Sequence, residues 1–236
     1  MQRVRYRQTL SLALALCALA AGLCAEEKPV LLLTGFEPFG GAKINPSWET
    51  VKTFEGKEIG GYRIVTALLP VVYDEMAAPL KKAIEANKPE IVICFGVGSK
   101  VIQVELVAKN GYHPQKPPDN KGLPPSREKI DPDGENAIPT KLPADAILAA
   151  LKEKSIGAGK STNAGGYLCN ECFYRLMESD TPAHPFKACG FVHVPEFDTK
   201  DPAGGTFTPE KLKQAVETIV TATVHAQAPQ TPAAQK

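Results

Sequence analysis

One cysteine, Cys169, occupies a position that favours nucleophilic chemistry. It follows a run of small residues and lies at the start of a segment with helical periodicity, which predicts a helix over Leu168–Glu178. The N-terminus of a helix carries partial positive charge, and this charge favours a thiolate over a thiol. We therefore treat Cys169 as a candidate nucleophile.

A histidine and a carboxylate elsewhere in the chain are the partners that such a thiol needs. His193 lies at the end of an apolar segment, and Glu105 interrupts an otherwise apolar strand predicted over residues 101–108. A histidine can take the thiol proton, while an acid orients the imidazole and stabilises its charged form. Together the three residues predict a thiol hydrolase. The alternatives are a structural cysteine, a core histidine and a solvent-facing glutamate.

The pair Cys169 and Cys172 has the CxxC spacing of a thiol redox site at a helix start, which is a second interpretation. The pair comes late in the chain, unlike the order found in thioredoxin-like folds. A disulfide between these two residues that switches a hydrolase off is a further hypothesis. No second cluster has the spacing of a zinc site, so the sequence predicts neither a metal nor a cofactor.

The N-terminal segment predicts export. Three arginines precede an apolar run over residues 10–23, and a small residue, Ala25, follows it. This pattern is typical of a signal peptide over residues 1–25, and the run is short for a stable membrane anchor. We therefore expect a periplasmic or secreted protein.

The bulk composition predicts one globular domain over residues 26–226. The chain has 236 residues, of which 43% are hydrophobic and 22% charged, and its formal net charge is +1. This balance, without a long basic run, argues against nucleic acid as a partner. Residues 227–236 are rich in Ala, Pro, Gln and Thr and predict a disordered tail.

Short apolar runs alternate with amphipathic segments along the domain. This alternation predicts an α/β fold, a three-layer α/β/α sandwich with a mostly parallel mixed sheet. Residues 110–140 are rich in Pro, Asp, Asn and Gly and predict a long loop. The strands are predicted at residues 30–34, 62–71, 90–97, 101–108 and 188–195, and the main helices at 74–87, 144–154, 168–178 and 208–225.

Three segments resemble the pyroglutamyl peptidase I family, the pyrrolidone-carboxylate peptidases of cysteine peptidase family C15. They are residues 34–41 continued by 45–49, residues 163–170, and residues 191–195. The order acid, cysteine, histidine and the interval of 24 residues between Cys169 and His193 are also similar to the family's. The resemblance extends from about residue 30 to about residue 224.

The resemblance implies a cysteine exopeptidase that removes pyroglutamate from the N-terminus of peptides. It implies that Cys169 is the nucleophile, that His193 transfers the proton, and that Glu105 orients the imidazole. It also implies a homo-oligomer, for which the loop over residues 110–140 is the candidate contact. The implied substrate-binding residues, with Phe36 and Phe39 enclosing the lactam ring, are Phe36, Phe39, Asn45, Tyr167 and Leu168.

Two positions depart from the family's pattern. The family usually has arginine where this chain has Ser99, before the acid strand, and where it has Leu106, directly after the acid. An alternative interpretation is therefore a family member with impaired catalysis that acts as a peptide-binding module.

Overall fold

The computed structural model describes residues 28–115 and 117–227. The predicted signal peptide and residues 228–236 of the predicted tail lie outside the described residues. Gln227, expected as the first residue of the tail, is the last residue of a helix instead. Within the described part of the chain, no helix combines the length and the apolar character needed to cross a membrane.

Strands and helices alternate along most of the chain. The strands are β1 (Val30–Phe36), β2 (Glu58–Ile59), β3 (Tyr62–Leu69), β4 (Ile91–Val97), β5 (Ile102–Glu105), β6 (Val107–Lys109), β7 (Ala137–Pro139), β8 (Ala158–Ser161) and β9 (Ala188–Val194). The helices are α1 (Pro46–Val51), which continues into a 3-10 turn (Lys52–Phe54), α2 (Ala77–Asn87), α3 (Ala144–Glu153), α4 (Leu168–Glu178) and α5 (Pro209–Gln227).

A seven-stranded sheet in the order β2-β3-β1-β4-β9-β5-β8 forms the middle layer, and β6 and β7 pair separately. All its pairings are parallel except β2 with β3 and β5 with β9. Alternate residues of β1 face opposite layers: Leu31 and Leu33 pack with α1, α3 and α5, whereas Leu32 packs with α2 and α4. Because both faces are covered, β1 is an uninterrupted buried apolar run. The predicted three-layer α/β/α sandwich is confirmed.

The strand predicted over residues 101–108 is in fact two strands that belong to different sheets. The break is at Leu106, whose N–H donates to the Ser161 carbonyl at 2.7 Å while its own carbonyl accepts from Thr140 N at 2.9 Å. The chain therefore leaves the main sheet immediately after Glu105. The apolar pattern continues through the break, which is why the sequence predicted a single strand.

Two further boundaries differ from the prediction. The helix expected to begin at Asp74 begins at Ala77, so that Pro79 lies in its first turn. Backbone N–H groups in the first turn have no intrahelical acceptor, and the N–H that proline lacks therefore costs no hydrogen bond there. Pro79 is therefore compatible with an unbroken helix from Ala77. Strand β8 was not predicted, because Ala158–Ser161 is a short edge strand of small and polar residues.

Residues 110–115 and 117–136 have no regular structure, as predicted, but Ala137–Pro139 of the predicted loop forms strand β7, which pairs with β6. This loop lies against the segment that carries Cys169. His113 N donates to the Gly166 carbonyl at 2.7 Å, and the Tyr167 hydroxyl donates to the Pro118 carbonyl at 3.1 Å. The loop therefore helps to hold the start of α4 in place.

Candidate active site

A pocket of about 180 Å³ lies where the carboxyl ends of β1, β4 and β9 meet the N-terminus of α4. Ligands of open α/β sheets bind at this edge, outside the carboxyl ends of the parallel strands. All of the predicted site residues except Glu105 line the pocket, namely Phe36, Phe39, Asn45, Tyr167, Leu168, Cys169 and His193.

Glu105 lies behind the imidazole of His193. Its Oε1 is 2.8 Å from His193 Nδ1, and both side chains are buried, so the solvent-facing alternative for Glu105 is wrong. Glu105 Oε2 is also buried and makes no hydrogen bond to the described residues. Cys169 lines the same pocket as the imidazole and interacts with it electrostatically. Acid, imidazole and thiol are thus arranged in series.

The surroundings of His193 favour its charged form. Burial alone lowers the pKa of the imidazole, but the neighbouring Cys169 and the Glu105 carboxylate raise it more, to about 9. An imidazolium at neutral pH is the natural counter-ion of a thiolate, and a thiolate is the nucleophilic form of cysteine. His193 can therefore carry a proton beside Cys169 at neutral pH.

The loop before Cys169 requires two glycines. Gly165 and Gly166 have φ of 89° and 72°, in the left-handed region that glycine adopts at little cost. A Cβ on Gly166 would also lie 2.6 Å from His113 N. The loop turns the chain into α4 so that Cys169 is the second helical residue, where backbone N–H groups have no intrahelical acceptor. These groups are suitable donors to a developing oxyanion.

Asn170 joins the helix of the nucleophile to the segment after the acid. Its Oδ1 accepts from Lys109 N at 3.1 Å, and its Nδ2 donates to the carbonyls of Lys109 at 2.7 Å and Gly111 at 2.9 Å. The side chain is buried. Sequence reasoning included Asn170 in the motif without giving it a role, because its partners lie some 60 residues earlier in the chain.

Two glycines at the end of β4 leave space for the reacting side chains, and sequence reasoning gave neither a role. A Cβ on Gly96 would lie 2.8 Å from Cys169 Sγ, and one on Gly98 would lie 2.8 Å from His193 Cδ2 and 2.9 Å from Nε2. Glycine within a strand often marks such a close approach, and this was the available signal.

Asn45 holds the loop that carries the two phenylalanines. Its Oδ1 accepts from Ser47 N at 3.0 Å and from Ser47 Oγ at 2.8 Å, and its Nδ2 donates to the Glu37 carbonyl at 2.9 Å. Phe36 is buried, and the ring of Phe39 lies 6.2 Å from that of Tyr167. The pocket is therefore bordered by aromatic rings on a braced loop.

The two departures from the family's pattern are not among the residues that line the pocket. Ser99 Oγ accepts from Val101 N at 3.3 Å and lies in the turn before β5. Leu106 packs against the core cluster on the α1, α3 and α5 face of the sheet, opposite the face that carries His193. Neither residue lines the pocket.

The described cysteines are all free thiols. Cys94 and Cys189 are buried in β4 and β9. Cys172 is fully buried, and burial, together with its hydrogen-bonded neighbour Cys94, raises its pKa well above the ordinary value. Cys169 and Cys172 are therefore not joined by a disulfide in this structure, and Cys172 has no exposed surface.

Comparisons with known proteins agree with this arrangement. The family model described as pyroglutamyl peptidase matches residues 29–228. The chain is 42% identical over 171 residues to a pyrrolidone-carboxylate peptidase of Bacillus velezensis, covering 72% of this chain and 79% of that protein. It is also 42% identical to a pyrrolidone-carboxylate peptidase of Enterobacter sp. over 167 residues, 70% of this chain and 77% of that protein. The crystal structure of pyroglutamyl peptidase I from Bacillus amyloliquefaciens superposes with a TM-score of 0.77 at 34% identity, covering 85% of this chain and 97% of that one. A chain matched over this length belongs to the pyroglutamyl peptidase family.

Proposed function

We propose that the protein is a cysteine exopeptidase that removes pyroglutamate from the N-terminus of peptides. The observation that carries the proposal is the series Glu105, His193, Cys169 at a small pocket bordered by aromatic rings. Membership of the pyroglutamyl peptidase family supplies the substrate class.

In the proposed mechanism the Cys169 thiolate attacks the carbonyl carbon that joins the pyroglutamyl ring to the next residue. Backbone N–H groups in the first turn of α4 stabilise the resulting oxyanion. His193 then gives its proton to the leaving amine, and a thioester remains on Cys169. A water molecule, deprotonated by His193, attacks the thioester and releases pyroglutamate with the free thiol.

Glu105 has a positioning and electrostatic role in this mechanism. Its carboxylate fixes the orientation of the imidazole through Nδ1, so that the other edge of the ring faces Cys169. It also stabilises the positive charge that His193 carries before it protonates the amine.

The pocket explains why a pyroglutamyl terminus is preferred to a free one. A lactam is uncharged, whereas a free α-amine would lose its hydration on entering a pocket walled by Phe36 and Phe39. Only the ring must fit, so the rest of the peptide extends away as the leaving group. These properties are those of an exopeptidase.

The geometry favours this function over a peptide-binding module. Cys169 and His193 line one pocket, Glu105 is bonded to the imidazole, and the positions of the two missing arginines do not line that pocket. A binding module would retain the pocket without needing a buried acid against the imidazole.

Release of a fluorescent amine from a pyroglutamyl amide tests the function directly. The wild type should release the amine, Cys169→Ala should not, and Cys172→Ala should retain most of the activity. Absence of turnover by folded wild type, with and without reductant, would favour the binding module. Loss of activity in Cys172→Ala with its fold intact would favour a dithiol mechanism.

We also propose that the protein is exported and forms a homo-oligomer. Export is supported by the pattern of residues 1–25 in the sequence. Oligomerisation is supported by the homo-oligomer that the resemblance to the family implies, with the predicted loop over residues 110–140 as the candidate contact. Fractionation of cells expressing the full chain tests the first proposal. Light scattering of the purified protein tests the second.

A further inference from the structure

Three amide side chains line the pocket, and they differ in how far their hydrogen-bonding groups are already occupied. Both ends of the Asn45 amide are bonded within its own loop. Asn163 is exposed, and its Oδ1 accepts from Gly165 N at 3.3 Å. Gln103 is half-buried, and within residues 28–115 and 117–227 its side chain makes no hydrogen bond. Of these three side chains, only that of Gln103 has both its carbonyl and its NH2 group unbonded within the described residues.

The strand register places Gln103 beside the reacting imidazole. Strand β5 pairs antiparallel with β9, and Gln103 is directly opposite His193. Its neighbours Ile102 and Val104 face the core cluster on the other side of the sheet. Directly opposed residues of an antiparallel pair project to the same face, so Gln103 and His193 share the face that borders the pocket.

We propose that Gln103 is a specificity-determining residue that recognises the lactam of the substrate by two hydrogen bonds. This inference rests on the proposed function. A five-membered lactam is a cis amide, so its N–H and C=O point out of the same edge of the ring. A primary amide offers one acceptor and two donors on one planar group. Gln103 Oε1 accepts from the lactam N–H while Nε2 donates to the lactam C=O.

The half-buried setting makes this pairing selective. If the bound ring lacked the lactam groups, the Gln103 amide would be shielded from water and would have no hydrogen-bond partner. The free-energy cost of such an unsatisfied buried group is larger than the net free energy that a made hydrogen bond contributes. A site built to bond a polar substrate group therefore rejects rings that lack the group. The aromatic walls select a small flat ring, and Gln103 selects the lactam among such rings.

The test uses the full chain and the variant Gln103→Met, which keeps the size of the side chain and removes its polar atoms. The value of kcat/KM is measured with the pyroglutamyl amide. The inhibition constants of 2-pyrrolidinone, which carries both lactam groups, and of cyclopentanone, which lacks the N–H, are measured with the same substrate. Gln214→Met, on the exposed side of α5, is the matched control and should behave as wild type.

We expect kcat/KM to fall about 10- to 100-fold in Q103M, as for the loss of two neutral hydrogen bonds. We also expect wild type to bind 2-pyrrolidinone more tightly than cyclopentanone, and Q103M to lose this preference. A purely structural role for Gln103 would weaken both inhibitors by the same factor.

The inference is overturned if folded Q103M keeps kcat/KM within about threefold of wild type, if the preference for 2-pyrrolidinone survives in it, or if wild type shows no such preference. These outcomes can be distinguished from failure of the proposed function, because if the proposed function were wrong, wild type itself would not release the amine.

Discussion

Replacing Gly98 with alanine tests whether the position of His193 limits catalysis. Neither Gly98 nor its strand neighbour Gly96 has a left-handed backbone, so alanine is compatible with the local conformation. The new methyl group would lie 2.8 Å from His193 Cδ2 and 2.9 Å from Nε2. Carbon atoms in ordinary contact are about 3.5–4.0 Å apart, so the imidazole must retreat by roughly 0.5–1 Å.

The ring has little freedom to retreat without losing a partner. Its Nδ1 is held 2.8 Å from Glu105 Oε1, and the Phe191 ring lies edge-on with its centroid 5.0 Å away. Movement away from Gly98 therefore disturbs the bond to the acid or the contact with Cys169. A misplacement of about 1 Å in a catalytic group can reduce the rate about 100-fold, which corresponds to about 2.7 kcal/mol of transition-state stabilisation.

Two assays separate this effect from a loss of folding. Amine release should show a lower kcat/KM for G98A, and alkylation of Cys169 at neutral pH should slow because its imidazolium partner is displaced. Gly159→Ala is the matched control, since a Cβ there meets no atom within 4 Å. G98A with a normal melting temperature and a kcat/KM within about threefold of wild type would refute the reasoning, because the imidazole would then tolerate the shift.

Two further predictions concern buried polar groups on α4. Asn170→Ala should lower the free energy of unfolding by about 2–4 kcal/mol, because it leaves backbone groups of Lys109 unpaired, and urea denaturation measures this loss. The control is Asn87→Ala, which removes one hydrogen bond at the end of α2 and should lower the free energy of unfolding by less than about 1.5 kcal/mol. Equal losses of unfolding free energy in the two variants would contradict the argument.

Burial and then the nearby Asp74 raise the pKa of Glu171 to about 7. Its ionisation therefore opposes folding as the pH rises from the unfolded pKa of about 4.5 through 7. The free energy of unfolding of Glu171→Gln, measured by urea denaturation, should equal that of wild type at about pH 4 and exceed it by about 2–3 kcal/mol at about pH 8. A difference in unfolding free energy that does not vary with pH would contradict this prediction.

Local signals in the sequence were sufficient for the elements that carry the reacting groups. The bounds of α4 agree with the prediction, because periodicity and the preceding small residues mark its start within a few residues. Helix α5 begins within one residue of its predicted start, where Thr208 Oγ1 accepts from Lys211 N at 3.2 Å. The alternation of apolar runs with amphipathic segments likewise predicted the three-layer α/β/α architecture.

The parts that could not be predicted depend on register between distant strands. Gln103 faces the pocket only because β5 runs antiparallel to β9 with this residue opposite His193. No local pattern specifies that pairing across 90 residues. Strand β8 was missed for a related reason: it is defined by its bonds to β5 rather than by apolar side chains of its own.

The burial of the other described thiols turns Cys169 into a natural reporter group. Cys94, Cys172 and Cys189 have no exposed surface, and burial raises the pKa of Cys189 to about 12, whereas Cys169 is partly exposed. In the chain without residues 1–25, one equivalent of a thiol reagent on the folded protein would therefore count functional centres without any engineered substitution. After denaturation the same titration would count the whole chain: six thiols if residues 1–25 are still attached and four if they have been removed. A single colourimetric experiment would thus report both the fraction of competent enzyme and the maturation of its N-terminus.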